Sequence, residues 1–317
     1  MILDFLKLIR IKNLLIVVIL QYLLLYCLIK PMLQYHYSLI LGIYITPAFS
    51  DFDFFLLVLS SVLITAAGYI INDYFDLNID MINKPDKVIL GKKISLRTAQ
   101  VYHWAFTVVG ILLGFYISWK IDMLNLGFIF IVTSGLLWYY STVFKRELII
   151  GNVIVATLTA LTPLLVIVYQ IIPLNLIYKN QLLYYYLNFN DTVFWILGFA
   201  LFAFLSTLIR EIIKDMEDLE GDSAYGRKSI PIVWGMNNAK YIVVILQSIF
   251  IFLVSWAIFV YIVDIFTPWY LIITIIIPSI FNIGLIIKAN RINHFTLARK
   301  ISKGMMVFGI LFLIRLY

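Results

Sequence analysis

Asp73, Asp76 and Asp80 are spaced three and four residues apart, and so are Asp215, Asp218 and Asp222 at an offset of 142 residues. The first set lies in Asn72-Asp73-Tyr74-Phe75-Asp76-Leu77-Asn78-Ile79-Asp80 and the second in Lys214-Asp215-Met216-Glu217-Asp218-Leu219-Glu220-Gly221-Asp222. From Ile70 and Ile212 onward, six of eleven aligned positions are identical, so the two segments read as an internal repeat. Intervals of three and four predict that each set of carboxylates lines one helical face. Like charges so placed repel, and a cation must offset them. Oxygen-only donors suit a hard cation such as Mg²⁺, which is commonly held by one or two carboxylates, substrate phosphates and water. Asn72 adds a neutral oxygen at the same four-residue interval. Two facing metal sites of this kind would clamp a diphosphate. Zinc chemistry is not suggested: His36, His103 and His294 are isolated, and Cys27 is the lone cysteine, which also excludes an intramolecular disulfide.

Cations flank the acids. Lys84 and Lys87 follow the first set, Arg210, Lys214, Arg227 and Lys228 surround the second, and Tyr140, Ser141, Lys145 and Arg146 close another apolar segment. Arg pairs with phosphate oxygens through a planar fork, whereas Lys acts as a point charge. A metal-bound diphosphate at the mouth of an apolar, aromatic-rich bundle points to an allylic prenyl diphosphate. Metal and basic groups would stabilise the departing diphosphate, and aromatic faces a carbocation, with Tyr74, Phe75, Tyr139 and Tyr140 as candidates. A second substrate then captures the prenyl group.

The elements that position these groups must lie in lipid. The 317 residues are 63% hydrophobic and 13% charged, with a mean hydropathy of +1.00, far from the composition of a soluble domain. Nine apolar stretches are long enough to be read as spans, near residues 13–29, 55–71, 101–119, 123–142, 149–172, 193–213, 241–263, 268–287 and 304–316. The connections 30–54 and 173–192, rich in Tyr and Phe, are expected in the membrane interface, with Pro47 and Pro173 as breakers. Of 24 Lys and Arg residues, 20 fall on one side of this alternation. The positive-inside rule then puts the N-terminus and both acidic sets in the cytoplasm and the C-terminus outside. The net charge of +7 is thereby explained without nucleic acid. An offset of four spans suggests a parallel repeat. No Pro/Gly/Ser-rich linker divides the chain, which reads as one all-α domain over residues 1–317.

These motifs identify a resemblance. Asn72-Asp73-x-x-Asp76-x-x-x-Asp80, Asn83-Lys84-Pro85-Asp86-Lys87 and Asp218-x-x-x-Asp222 are similar to the motifs of the UbiA superfamily of intramembrane prenyltransferases. Tyr140-Ser141 with Lys145, Gly151-Asn152 and Arg10-x-x-Asn13 also resemble family positions. The resemblance implies nine helices around a central cavity and Mg²⁺-dependent transfer from a polyprenyl diphosphate to a lipophilic acceptor. It implies that Asn72, Asp76, Asp80, Asp215, Asp218 and Asp222 hold the metal-bound diphosphate. Asp73 belongs to the same motif, Lys145 and Tyr140 would contact the diphosphate, and Asn13 would face the cavity. Lys87 stands where the family often has Arg, so a bidentate fork is absent there.

The run Arg210–Asp222 resembles the second motif of digeranylgeranylglyceryl phosphate synthases, as do Lys145-Arg146 and Gly151-Asn152. That branch forms an ether with a glycerol phosphate lipid. Aromatic acceptors such as 4-hydroxybenzoate or dihydroxynaphthoate are the alternative within the family. A divalent-cation or organic-anion transporter is the alternative from another class, but acids gathered at span ends rather than near the bilayer midplane favour an enzyme.

Overall fold

The computed structural model describes residues 2–83 and 85–316, with Lys87 by its backbone alone, so Lys84 lies outside the described residues. Those residues form helices connected by short turns: α1 (Ile2–Leu8), α2 (Ile11–Leu41), α3 (Asp51–Asn83), α4 (Leu96–Lys120), α5 (Leu124–Thr142), α6 (Ile150–Ile177), α7 (Lys179–Tyr184), α8 (Asn190–Glu217), α9 (Leu219–Ala224), α10 (Ile230–Val233), α11 (Met236–Tyr261), α12 (Phe266–Ile287), α13 (Ile292–Leu311) and α14 (Leu313–Leu316). The fold is all-α, as composition and periodicity predict.

Among the described residues, eight helices are long and apolar enough to cross a membrane: α2 to α6, α8, α11 and α12. The ninth expected span, 304–316, is the second half of α13 continued by α14. This helix starts at Ile292 and carries Arg299, Lys300 and Lys303 ahead of its apolar end, so it is not uniformly apolar. Burial is arranged for lipid rather than water. Leu112, Val132, Phe252 and Ile280 are exposed on the spanning helices, whereas Gln21, Ser118, Gln170, Gln247, Asn282 and Ser302 are buried between helices.

Two connections differ from expectation. The first span does not end near residue 29 but continues to Leu41, and the fifth runs through Pro173 to Ile177. Each extension passes through π-helical turns. The turns Leu24–Ile29, Ile167–Ile171 and Ile272–Ile276 all end two residues before a proline: Pro31, Pro173 and Pro278. A proline removes one N–H and crowds the carbonyl four residues earlier, and widening the preceding turn relieves both without breaking the helix. Pro47 does lie outside helix, in the stretch following Gly42.

The chain forms two compact units. Of the described residues, one comprises 2–83, 85–142 and 161–198, and the other 143–160 and 199–316. In the first unit, Leu8, Ile9 and Leu14 pack with Ala66 and Ile70 of α3 and with Leu90, Ile94 and Ala99, which fastens the N-terminal helix to the end of α3 that carries the first acidic motif. In the second unit, Gly309 of α13 lets Phe202 of α8 approach so closely that a Cβ would clash with its ring.

Candidate active site

The first acidic motif occupies the last turns of α3, which outruns the length needed to cross the bilayer. Asn72 and Asp76, four residues apart, are both buried, and Asn72 Nδ2 donates to Asp76 Oδ2 at 3.0 Å. Asp80 is half-buried one turn further on, and the helix stops at Asn83 ahead of Pro85. Asp73 turns instead to Arg10, whose Nη2 lies 2.5 Å from Asp73 Oδ1. Arg10 occupies the break between α1 and α2 with φ 52° and ψ 53°, a left-handed conformation uncommon for a residue with a side chain. Its guanidinium also sits 4.9 Å from the centre of the Tyr69 ring, and Asn13 Nδ2 donates to the Tyr69 hydroxyl at 3.3 Å. Phe75 packs edge-on against Trp138, and the Tyr74 hydroxyl accepts from Gln100 Nε2. Ser141 is buried, and its hydroxyl donates to the Leu137 carbonyl within α5; Tyr140 beside it is half-buried.

In the second unit the motif is not one unbroken helical face. α8 ends at Glu217, Asp218 sits at the bend, and α9 resumes with Leu219. Asp215 is therefore on α8 and Asp222 on α9, with backbone bonds from Asp218 N to Lys214 O and from Asp222 N to Asp218 O preserving the helical path. Asn152, in the first turn of α6, donates through Nδ2 to Asp215 Oδ2 at 2.7 Å. Asp222 is only 2% exposed, and Arg227 Nη1 donates to its Oδ1 at 2.9 Å. Burial pushes the Asp222 carboxyl above the usual carboxylate range, against the pull of Arg227, Lys214 and Lys145.

Three of the basic residues assigned to substrate from sequence, Arg210, Lys214 and Arg227, thus have acidic neighbours within the protein. Arg210 Nη2 donates to Glu211 Oε1 at 2.6 Å, and Lys214 Nζ lies 3.8 Å from the other oxygen of Glu211. Lys145 is half-buried and Arg146 exposed, on a short turn from Phe144 to Arg146 whose last carbonyl accepts from Lys228 N. Gly151 permits that turn to lie against the start of α6: a Cβ there would fall 2.9 Å from the Phe144 carbonyl oxygen. Ile149, just before it, has φ 64°, a strained value for a β-branched residue.

Two acids, and the partners of one of them on α13, were given no role from sequence. Glu211 is buried between Arg210 and Lys214, and Glu217 is held by Arg299 and Thr296 of α13. Glu211 and Lys214 stand three apart on one helix, a spacing that signals their pairing; nothing in the spacing of Glu217 and Arg299 does so.

Among the described residues, no three His, Cys, Asp or Glu side chains converge closely enough to hold a metal on their own. The donors present are carboxylate and amide oxygens. That set fits Mg²⁺, which takes few protein ligands and completes its shell with phosphate and water, and does not fit zinc.

The model of the UbiA prenyltransferase family matches residues 35–307, and so spans both acidic motifs. The chain belongs to the UbiA prenyltransferase family. It is an integral, multi-pass membrane enzyme of that family, and the transporter alternative gives way. Among its UbiA relatives, the digeranylgeranylglyceryl phosphate synthase of Methanosphaera stadtmanae is 40% identical over 217 residues, 68% of this chain and 70% of that one. The synthase of the same name from Methanobrevibacter smithii is 33% identical over 268 residues, 83% and 87% of the two chains. A solved structure concerned with digeranylgeranylglyceryl phosphate synthase in membranes matches with a TM-score of 0.63 at 25% identity, covering 99% of this chain and 97% of that one. A UbiA homologue from Archaeoglobus fulgidus, solved with GPP and Mg²⁺, shares the fold with a TM-score of 0.52 at 19% identity over 98% and 99% of the chains.

Proposed function

We propose that this enzyme transfers a prenyl group from a polyprenyl diphosphate to the free hydroxyl of a glycerol phosphate lipid, forming an ether, as a digeranylgeranylglyceryl phosphate synthase does. The observation that carries the reading is the likeness to the Methanobrevibacter smithii synthase. It extends over 83% of the chain, and a match of that extent includes both acidic motifs. In this reading the metal ligands of the first motif are Asn72, Asp76 and Asp80 and those of the second are Asp218 and Asp222, each motif serving Mg²⁺-bound diphosphate. Bound Mg²⁺ would supply the positive charge that stabilises the departing diphosphate. Lys145, with Tyr140, contacts the diphosphate oxygens, and Arg227 keeps the buried Asp222 carboxylate compensated. The lipid hydroxyl attacks the allylic carbon as the carbon–oxygen bond to diphosphate breaks, and loses its proton as the ether forms. Residues 1–317 act as one functional domain.

The orientation belongs to the same proposal: N-terminus and acidic motifs cytoplasmic, C-terminus outside. It is supported by the 20 of 24 basic residues gathered on one side of the alternating spans. Phosphorylated substrates then enter from the cytoplasm, and the surrounding lipid takes the prenyl chain.

The test is to incubate membranes containing the enzyme with labelled geranylgeranyl diphosphate and a panel of glycerol phosphate lipids and aromatic acids. The expected product is a labelled, alkali-stable ether lipid. A labelled aromatic acid with no ether lipid would overturn the acceptor assignment and leave prenyl transfer in place. Asp76→Asn and Asp218→Asn should each abolish Mg²⁺-dependent diphosphate release at unchanged membrane levels.

A further inference from the structure

The internal repeat extends beyond the carboxylates. Arg10 donates to Asp73 at 2.5 Å and Asn152 donates to Asp215 at 2.7 Å. Each donor precedes its aspartate by 63 residues. Moving from Arg10 to Asn152 is the same step of 142 positions that takes Asp73 to Asp215. Both donors sit at the N-terminal end of a helix, α2 in one case and α6 in the other, and both reach the first aspartate of a D-x-x-D-x-x-x-D motif. The residue types differ, a cation in one copy and a neutral amide in the other. The contact, its separation and its place in the motif are the same.

We infer that Asp73 and Asp215 are positioning carboxylates rather than metal ligands, anchored by the repeat-related pair Arg10 and Asn152. This rests on the reading of the two motifs as diphosphate sites. It changes the assignment drawn from the resemblance, in which Asp215 was a ligand. A helix free to rotate about its axis cannot aim a side chain. Tying the first carboxylate of the motif to a neighbouring helix fixes that rotation, and with it the direction of the carboxylates three and seven residues later. Arg10 is further held by stacking on Tyr69 and by the left-handed backbone between α1 and α2, so the anchor in the first copy is itself constrained. In the second copy the anchor matters more, because α8 ends two residues after Asp215, and Asp218 and Asp222 lie at and beyond the break. Anchoring Asp215 sets the angle from which the chain leaves α8.

The experiment reverses the polarity of the second pair. Asn152→Asp alone sets two carboxylates against each other, and Asp215→Asn alone keeps an amide in contact with an amide. The double variant restores one donor and one acceptor with the roles exchanged. Turnover number, KM for geranylgeranyl diphosphate and the Mg²⁺ concentration for half-maximal rate are measured for each in membranes, with Asp218→Asn alongside. N152D should lose about 10- to 100-fold in turnover, the scale seen when partners of metal ligands are removed, and the double variant should recover most of that loss. D215N should keep its Mg²⁺ half-saturation within about twofold of the parent, whereas loss of a ligand would shift it at least as far as the roughly 10- to 100-fold cost of a lost outer partner. A D215N variant that needs as much extra Mg²⁺ as a lost ligand demands, with no recovery in the double variant, would overturn the inference while D218N remained inactive. Full turnover in D218N is a different result, removing the diphosphate reading of the motif and this inference with it.

Discussion

Arg299 of α13 grips Glu217 at the end of α8 with two bonds, Nε to Oε2 at 2.6 Å and Nη2 to Oε1 at 3.3 Å, and Thr296 donates to Oε1 from one turn earlier on α13. Glu217 is the last residue before the bend at Asp218, and only 6% of its side chain is exposed. The cationic first half of α13, which sets this helix apart from the apolar spans, therefore contributes a bond to the segment that carries the second motif. Removing one partner of a buried pair leaves an uncompensated charge. Arg299→Ala should destabilise the enzyme by about 3 kcal/mol, read as a lowered melting temperature in detergent. Arg299→Lys should fall between, because an ammonium cannot reproduce the fork. An unchanged melting temperature in R299A would show that the clamp contributes nothing.

Arg227 bears on the pH dependence. Burial raises the Asp222 carboxyl, and Arg227 is the largest charge opposing that rise. With Arg227→Gln, Asp222 should hold its proton to still higher pH. Since the carboxylate is the form that serves Mg²⁺, the acidic limb of kcat/KM should move to higher pH. A limb that stays in place or moves to lower pH would contradict this.

Gly151 tests the turn that carries Lys145. In Gly151→Ala the added methyl meets backbone, the Phe144 carbonyl oxygen at 2.9 Å and Lys145 Cα at 3.1 Å, so the turn itself must shift. KM for the prenyl diphosphate should rise about tenfold, equivalent to about 1.4 kcal/mol of lost binding, with the protein still inserted. Substrate kinetics in membranes check it.

Gly309 tests packing in the second unit away from the motif. A Cβ there would clash with the Phe202 ring. Gly309→Ala should cost about 1–3 kcal/mol through overpacking. Restoring space with Gly309→Ala/Phe202→Leu should return part of the melting temperature, and no recovery would mean that the clash is relieved elsewhere.

The sequence by itself determined a great deal. Composition required a membrane protein, apolar runs located its spans, and the repeated aspartate spacing marked the candidate site, because these signals are local or periodic along the chain. Acid in apolar surroundings is conspicuous wherever it falls. Other features were decided only by tertiary structure. Whether Pro173 ends a helix depends on whether the preceding turn can widen, and here it does. Whether Asp215 and Asp222 share one helix depends on the bend at Asp218, where intervals of three and four alone promise continuity. Which carboxylate faces a ligand and which is tied down depends on partners 63 or 82 residues away, as with Arg10 and Asp73 or Arg299 and Glu217. Such pairs form when whole helices pack side by side, and spacing along a single helix does not encode which neighbour it will meet.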